Sequence, residues 1–403
     1  MDNLEGLLEM YQNSGTTRDI LNGLQKEGAS RLLLSGMTGA LECFVLTSVF
    51  KEHHVPHVFI AEDKEEAAYI QNTIDQFIPN QTVLFFPDSF KHPGSFEEID
   101  INNVLIRTEA INKIYTAYNK KDLLITYPEA LFEKVIDPTH LDKQKITIKK
   151  EEDLDQETLL EFLIEYGFER TDFVYEPGQF SIRGGIIDIF SFGNEWPYRV
   201  ELFDEEVESI RLFNPNTQLS LKNIERVSII PNISNRFGQE HKISLFEVFN
   251  KETVLWIKDV NHLVEKLAIC ENKARSFAEH IKNSDDEKLK TLLDERAFIL
   301  PDTIISEFES RNILFLKKGP KELSIEKEIV FKSSPQPHFN KNFKLLIDDL
   351  EQKNREAKKV YLFTDNKRQI ERFYNIFEDL HAKIDFHPVL KSIHQGFIDN
   401  DLN

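Results

Sequence analysis

The stretch Phe173–Phe213, FVYEPGQFSIRGGIIDIFSFGNEWPYRVELFDEEVESIRLF, organises the chain. It reads as three successive antiparallel strands, Phe180–Phe190, Tyr198–Phe203 and Val207–Phe213. The connection Ser191–Pro197 carries Gly193, Asn194 and Pro197, and the connection Asp204–Glu206 is acidic and tight. Turn residues between β-branched and aromatic runs are the sequence form of a meander. Alternation gives each strand two faces. Pairing Phe190 with Tyr198 and Phe203 with Val207 places Ile182, Ile186, Val200, Leu202, Ile210 and Leu212 on a core face. The other face collects Arg183, Gly185, Ile187, Arg199, Glu201, Phe203 and Arg211, with Gly185 opposite Phe203 and Arg199 beside Arg211. Arginines around an aromatic ring on the solvent side of a sheet have the composition of an interface hot spot. A plain solvated face, with the arginines paired to Glu201 or Glu208, also fits, and spacing alone favours it. Alternation puts Asp188 on the core face, where it needs a partner.

Outward from this stretch, 403 residues are too many for one ordinary domain. The 49 basic and 69 acidic residues give a formal charge of -20, which argues against an extended basic surface for nucleic acid. Cys43 and Cys270 have no disulfide or metal spacing and fit a reducing cytoplasm. The start, MDNLEGLLEMY, lacks the basic and apolar regions of a signal peptide, and no apolar run approaches a membrane span. The expectation is a soluble, cytoplasmic protein.

Short apolar strands at 31–34, 58–61, 83–86 and 123–126 alternate with helical patterns, which predicts a mostly parallel, doubly wound α/β sheet over residues 1–136. Asp137-Pro138 marks a boundary. An edge strand at Ile146–Ile148, a helix carrying Leu159, Leu160, Leu163 and Tyr166, the meander, and a strand at Val227–Ile230 make an inserted α+β domain over 137–232. The α/β character returns over 233–332, with a strand at Thr253–Asp259, a helix at Val260–Ile281, a helical SDDEKLKTLL segment and a strand at Ile313–Leu316. Ser333–Pro337 (SSPQP) reads as a linker. A helix at Phe343–Leu350, a strand at Val360–Thr364 and a helix at Lys367–Leu380 then begin a third α/β domain within 333–403.

The strand–loop–helix at Leu32–Phe50 has the context of a phosphate-binding loop of RecA-like folds, G-x-x-x-x-G-K-[ST]. Gly36 takes the first glycine position and Gly39 lies within the loop. Leu41 replaces the second glycine, Glu42 the lysine and Cys43 the hydroxyl residue. The lysine is needed to face the β/γ phosphates and the hydroxyl to hold magnesium. Two unit charges ~4 Å apart interact by ~4 kcal/mol at an effective dielectric of ~20, so Glu42 would repel a triphosphate. The loop reads as a disabled nucleotide site or an ordinary β-α turn, without ATP hydrolysis. VELFDEE (Val200–Glu206) superficially resembles a strand ending in a magnesium-binding Asp-Glu pair, but it falls in a meander turn. His53, His54 and His57 are close in sequence, but Pro56 interrupts the helix that would align them, and no metal is assigned. A nucleophile elbow is absent, and no catalytic constellation emerges.

The run Glu176–Ser220 contains an R-G-G-x-x-D-[IL]-F core, a P-Y-R step and an F-[ND]-P-x-[TS]-Q exit. With FFPDSF (Phe85–Phe90), ITYPEALFEKV (Ile125–Val135) and PQPHFNKNFKLLIDDL (Pro335–Leu350), it resembles the N-terminal, UvrB-like region of the bacterial transcription-repair coupling factors (Mfd family). The resemblance covers most of the chain. It implies a module that binds UvrA through Arg183, Arg199 and Phe203; Arg211 is added from the assumed register alone. It further implies that the RNA polymerase-binding and double-stranded DNA translocase modules lie C-terminal to these residues. ATP and magnesium belong to that motor, no cofactor belongs to this fragment, and a C-terminal domain of the intact protein covers the UvrA face. On this reading the chain is a truncated, non-catalytic fragment that recruits UvrA to lesion-stalled RNA polymerase. The rival resemblance is to UvrB, an ATP-dependent DNA damage-processing protein. Against it stand Leu41, Glu42 and Cys43, and the stretch Asp88–Asp100 (DSFKHPGSFEEID), which is short and lacks the tyrosines of UvrB's DNA-clamping hairpin. A scaffold with weak DNA contacts is a third reading, which the -20 charge makes minor.

Overall fold

The computed structural model describes residues 3–26, 28–81, 83–96, 98, 100–116, 122–138, 146–165, 167–191, 196–229, 242–282, 298–318 and 324–402. Two helices, α1 (Asn3–Gln12) and α2 (Gly15–Leu24), precede the first strand. The Ser14 side chain caps α2 by accepting from the Thr17 amide at 3.1 Å, satisfying an otherwise orphaned donor. There follow β1 (Arg31–Ser35), α3 (Leu41–Glu52), β2 (His57–Ile60), α4 (Lys64–Phe77), β3 (Val83–Phe85), α5 (Ile101–Thr116), β4 (Leu123–Thr126), α6 (Pro128–Phe132) and β5 (Val135–Ile136). The next segment holds β6 (Ile146–Lys149), α7 (Gln156–Glu165), β7 (Glu169–Arg170), β8 (Gln179–Arg183), β9 (Ile186–Ile189), β10 (Tyr198–Phe203), β11 (Glu206–Phe213), β12 (Ser220–Ile224) and β13 (Arg226–Ile229). The chain continues through β14 (Lys242–Ile243), α8 (Leu245–Val248), β15 (Val254–Ile257), α9 (Val260–Lys282), α10 (Pro301–Glu307), β16 (Ile313–Phe315) and β17 (Lys327–Val330). It closes with β18 (Ser333–Pro335), α11 (Phe343–Arg355), β19 (Tyr361–Phe363), α12 (Lys367–Asp379), β20 (His387–Val389) and β21 (Phe397–Asp399).

Seven strands form a parallel sheet in the order β17-β1-β16-β15-β2-β4-β3. The apolar runs HVFI, LLIT, VLWI and ILF are buried throughout, as strands covered on both faces must be. Residues Leu41–Phe50 of α3 are all buried as well, so this helix is sandwiched rather than surface-lying. The α/β class expected from the sequence is present. β17 lies at the sheet edge with a single buried residue in its KEIV run, too faint a pattern to announce a strand.

The second sheet has six strands in the order β12-β11-β10-β9-β8-β7 and a separate core. α7 contributes Leu159 and Leu163 to that core, as its spacing predicts, and Gly167 follows the helix at φ +76°. β6 pairs with β13 in a two-stranded ribbon beside it. β5 and β14, which flank this segment in sequence, pair antiparallel and bring its two connections together. Tyr166, residues 192–195, Ile230, Pro231 and the SDDEKLKTLL segment lie outside the described residues.

Three expectations for the meander are corrected. Phe180–Phe190 is not one strand but the hairpin β8–β9, turning at Gly184-Gly185, with Phe180 opposite Ile189 and Arg183 opposite Ile186. A two-residue turn pairs odd-numbered residues with even-numbered ones, so the faces exchange across it. Ile187 is therefore fully buried in the core, while Ile186 and Asp188 join the arginine face. Second, β9 pairs Ile189, not Phe190, with Tyr198. Third, Phe203 lies opposite Glu206 rather than Val207, because a bulge falls between Glu201 and Leu202; upstream of it Arg199 faces Arg211 as expected.

Gly185 is consequently not opposite Phe203. The Leu202 amide donates to its carbonyl at 2.7 Å, and a Cβ at Gly185 would lie 2.7 Å from the Leu202 carbonyl oxygen. At the chain's other end, Ser333–Pro335 is a strand rather than a linker and pairs antiparallel with β21. The β19–β20 pair is parallel, and Ile347, Ile370, Phe377 and Phe386 form a small core there.

Replacing Gly185 with alanine is expected to lower unfolding free energy by about 1–3 kcal/mol, since backbone rather than a flexible side chain must yield. Gly184→Ala meets open space but a φ of +63°, and should cost about 1 kcal/mol, with Gly184→Asn milder. Urea denaturation followed by circular dichroism checks this ordering.

Candidate docking face and the loop after the first strand

Asp188 sits at the centre of the arginine face. It is fully buried, yet both oxygens are engaged. Oδ1 accepts from Arg199 Nε at 2.7 Å, and Oδ2 accepts from Arg199 Nη2 at 2.8 Å and from Arg183 Nη2 at 2.5 Å. The cross-strand register produces this, because Arg199 on β10 lies directly opposite Asp188 on β9. Ser181, the partner of Asp188 on β8, is small and bonds away to the Asp172 carbonyl at 2.9 Å. Hydrogen bonding to Asp188 holds the Arg199 guanidinium above its ordinary pKa, against the opposing effect of partial burial.

Two loops complete the surroundings. Gln218 accepts from Arg199 through its carbonyl (3.3 Å) and its side-chain oxygen (3.2 Å), and its own amide nitrogen donates to the Val174 and Pro215 carbonyls. The Arg199 guanidinium lies 4.5 Å over the Phe213 ring, and that of Arg183 lies 4.8 Å over Phe173, within cation–π range. Beneath, Val174, Phe190 and Phe213 form a small core of their own.

Of the residues singled out in the sequence, Arg183 and Arg199 share a carboxylate. Arg211 is opposite Arg199 and ion-pairs with Glu201. Phe203 follows the bulge on β10 and is 76 % exposed. The arginines are thus neither a bare hot spot nor a row of exposed Glu pairs. The sequence reading put Asp188 on the wrong face and gave no role to Phe173 or Gln218. The Gly-Gly turn was the signal for Asp188, since it reverses that residue's face; the exit motif that ends on Gln218 was a sign for one loop, and Phe173 had none. Asp204 and Glu205 occupy an exposed turn, and no group of three His, Cys, Asp or Glu suited to a metal occurs among the described residues.

The loop after β1 packs against protein. Gly36 and Gly39 have φ of +79° and +55°. A Cβ at Gly36 would lie 2.2 Å from the Phe331 carbonyl oxygen, and one at Gly39 would lie 2.7 Å from that of Gly396. The Ala40 amide, at the start of α3, donates to the Gln395 carbonyl at 2.9 Å. Ser333 Oγ donates to the Gly36 carbonyl at 2.7 Å and meets Thr38 Oγ1 at 2.9 Å. Further along the same C-terminal segment, His394 stacks on Tyr69, Ser392 pairs with Gln76, and Tyr11 donates to Asp399.

Leu41 and Cys43 are buried, and burial pushes the Cys43 thiol well above its usual range. Glu42 is buried too and ion-pairs with Lys258, which also reaches Glu66 at 3.1 Å. Burial raises the Glu42 pKa, against the pull of the Lys258 ammonium. Burial works to lower the Lys258 pKa, but Glu42 and Glu66 outweigh it and keep the amine charged. The Asp88–Asp100 stretch is drawn onto the α/β core by buried Phe90 and Phe96, and Asp88 accepts from Tyr127 at 2.6 Å.

This architecture, a parallel α/β sheet accompanied by a separately cored antiparallel meander, includes a defined module: residues 146–234 match the UvrB interaction domain. Over more than half its length the chain is similar to transcription-repair-coupling factors. It is 30 % identical to that of Bacillus subtilis, over 57 % of this chain and 19 % of the relative. It is 26 % identical to that of Escherichia coli, over 60 % and 21 %. Similarity extends to the UvrABC system protein B of Photobacterium profundum, 28 % identical over 62 % of this chain and 40 % of the relative. The matches span about a fifth of the coupling factors' length.

Removing Lys258 alone should leave Glu42 buried without its cation, so Lys258→Met is expected to cost about 3–5 kcal/mol. The double change Glu42→Leu with Lys258→Met should recover most of that loss. Thermal melts of these two variants and of the Glu42→Leu single variant, analysed with the wild type as a double-mutant cycle, check the coupling.

Proposed function

We propose that this chain is a non-catalytic recruitment module of the coupling-factor type, which docks UvrA through the outer face of the β8–β11 meander. The observation that carries the reading is the composition of that face inside a UvrB interaction domain. Arg183 and Arg199 are tied to one buried carboxylate, and an aromatic side chain, Phe203, stands 76 % exposed further along the same strand as Arg199. Large exposed aromatics next to oriented arginines are what interface hot spots are made of. On this reading residues 137–232 act as the inserted docking domain. In a full-length coupling factor the recruited UvrA would arrive where RNA polymerase has stalled at a lesion. Translocation on double-stranded DNA, with its ATP and magnesium, would be supplied by segments outside this chain. A C-terminal domain of the intact protein would cover the face until it is needed.

The β1–α3 loop is, on the same reading, a phosphate loop that has lost its ligand. What supports this is the carbonyl of Gln395 at the Ala40 amide, the carbonyl of Gly396 against Gly39, and a carboxylate, Glu42, where a triphosphate site requires an amine. The alternative, a UvrB-type ATP-dependent DNA-processing protein, draws on the similarity to UvrABC system protein B but is less favoured by these contacts.

Arg183→Glu and Phe203→Ala are each expected to weaken UvrA capture by at least tenfold, with circular dichroism unchanged. Arg199→Glu should also lose binding, and in addition lower the melting temperature, because Asp188 loses its two-pronged partner. Full binding by all three variants would overturn the docking face. Titration with ATP should give no saturable signal up to millimolar nucleotide; micromolar binding that is lost in a Gly39 variant would instead favour the ATPase reading.

A further inference from the structure

Asp188 is a fully buried carboxylate between the two arginines of the proposed docking face. It treats its two arginines differently. Arg199 has 16 % of its side chain exposed, and four of its five N–H groups are engaged: Nε and one on Nη2 by Asp188, one on Nη2 and one on Nη1 by Gln218. Its guanidinium is stacked on the buried Phe213, whereas that of Arg183 lies over the exposed Phe173. Arg183 has 36 % of its side chain exposed. Among the described residues only two of its five N–H groups are engaged, one by Asp188 and one by the Asp172 carbonyl at 3.2 Å. One carboxylate therefore makes Arg199 an internal strut and leaves Arg183 oriented but open.

We propose that Asp188 is the positioning residue of this face: it locks Arg199, aims the unused donors of Arg183 outward, and leaves the pair one net positive charge to be met by a carboxylate of the partner. The proposal rests on the docking reading and names the chemistry of the partner group. A long arginine side chain loses rotamer freedom when it binds, and a prior bond to Asp188 removes part of that loss before the partner arrives. The effect belongs to the lifetime of the complex. Asp188→Asn adds net positive charge to the face, so attraction of an acidic partner is kept or strengthened while orientation is lost. Faster dissociation without slower association is therefore the mark of positioning, which a merely structural role does not produce.

The experiment compares the whole chain with its Asp188→Asn variant. Surface-immobilised UvrA reports the rates, and arginine-edited proton–nitrogen spectra of the free chain report the side chains. The expected result is dissociation about tenfold faster, association unchanged or faster with a steeper salt dependence, and native circular dichroism. In the wild-type spectrum, Arg199 Nε–H should exchange slowly with water and the Arg183 guanidinium should rotate slowly; the variant should lose both signatures. Rapid Arg199 exchange in the wild type would overturn the proposal even if the variant failed to fold. An unchanged dissociation rate in a folded variant would overturn it too. Should wild-type protein fail to bind UvrA at all, the docking reading itself falls, and the exchange data separate that failure from a failure of the lock.

Discussion

A carboxylate with no exposure to water needs donors at both of its oxygens, and Asp188 meets that demand by recruiting side chains from two strands. Much of the outer meander follows from it. Arg199 must lie directly across from Asp188, which fixes the β9–β10 register, and Arg183 must lean in from β8. Once Arg199 is held, its outer edge becomes an anchor for Gln218, and Gln218 in turn ties the loop after β11 to the Val174 carbonyl. Val174, Phe190 and Phe213 then close beneath as a second, smaller core. A sheet face that would otherwise be merely wet is thereby internally bonded. Its polar groups are ordered by internal bonds rather than by solvent.

The fold was legible in the sequence where burial was two-sided. Runs such as LLIT and VLWI leave no alternative to a covered parallel strand, and all lie within a residue or two of their expected bounds. The candidate docking face was legible only in part. Alternation along β10 and β11 placed Arg199, Phe203 and Arg211 together without knowledge of the neighbouring strands. It failed at Gly184-Gly185 because the residues on either side of a two-residue turn change face, so Ile186, Ile187 and Asp188 were each assigned to the wrong side. A Gly-Gly pair between apolar runs is itself a turn signal, and giving it weight would have placed Asp188 among the arginines. The roles of Phe173 and Gln218 were not readable from alternation, since both come from loops whose paths are set by tertiary contacts rather than by strand periodicity.

The loop after β1 shows why glycine patterns are weak evidence for phosphate. Gly36 and Gly39 are required by their positive φ angles and by carbonyl oxygens that approach too closely for any Cβ. Those demands are the same whether the approaching oxygen belongs to a phosphate or to a peptide. The discriminating position is the one that carries charge. Here Glu42 occupies it, and the amine comes instead from Lys258 at the end of β15, a separate strand of the same sheet. The result is an internal ion pair at the carboxyl edge of the sheet, with the helix amide behind it spent on the backbone of residues 395–396.

Charge bookkeeping across the whole chain sharpens the contrast with the meander. The formal charge is -20, so a partner with an acidic surface is repelled at long range from almost every direction. The centre of the candidate docking face departs from that average by setting three arginines against two carboxylates, Asp188 and Glu201, with Glu206 opposite Phe203 at its end. Such a small local excess gives little steering once salt screens it beyond about 8–10 Å. What the face offers is therefore short-range: donors already pointed, with part of their conformational entropy already spent, beside a ring that gains by being covered. Specificity would then come from the geometry that one buried carboxylate imposes, and much less from the field of the protein as a whole.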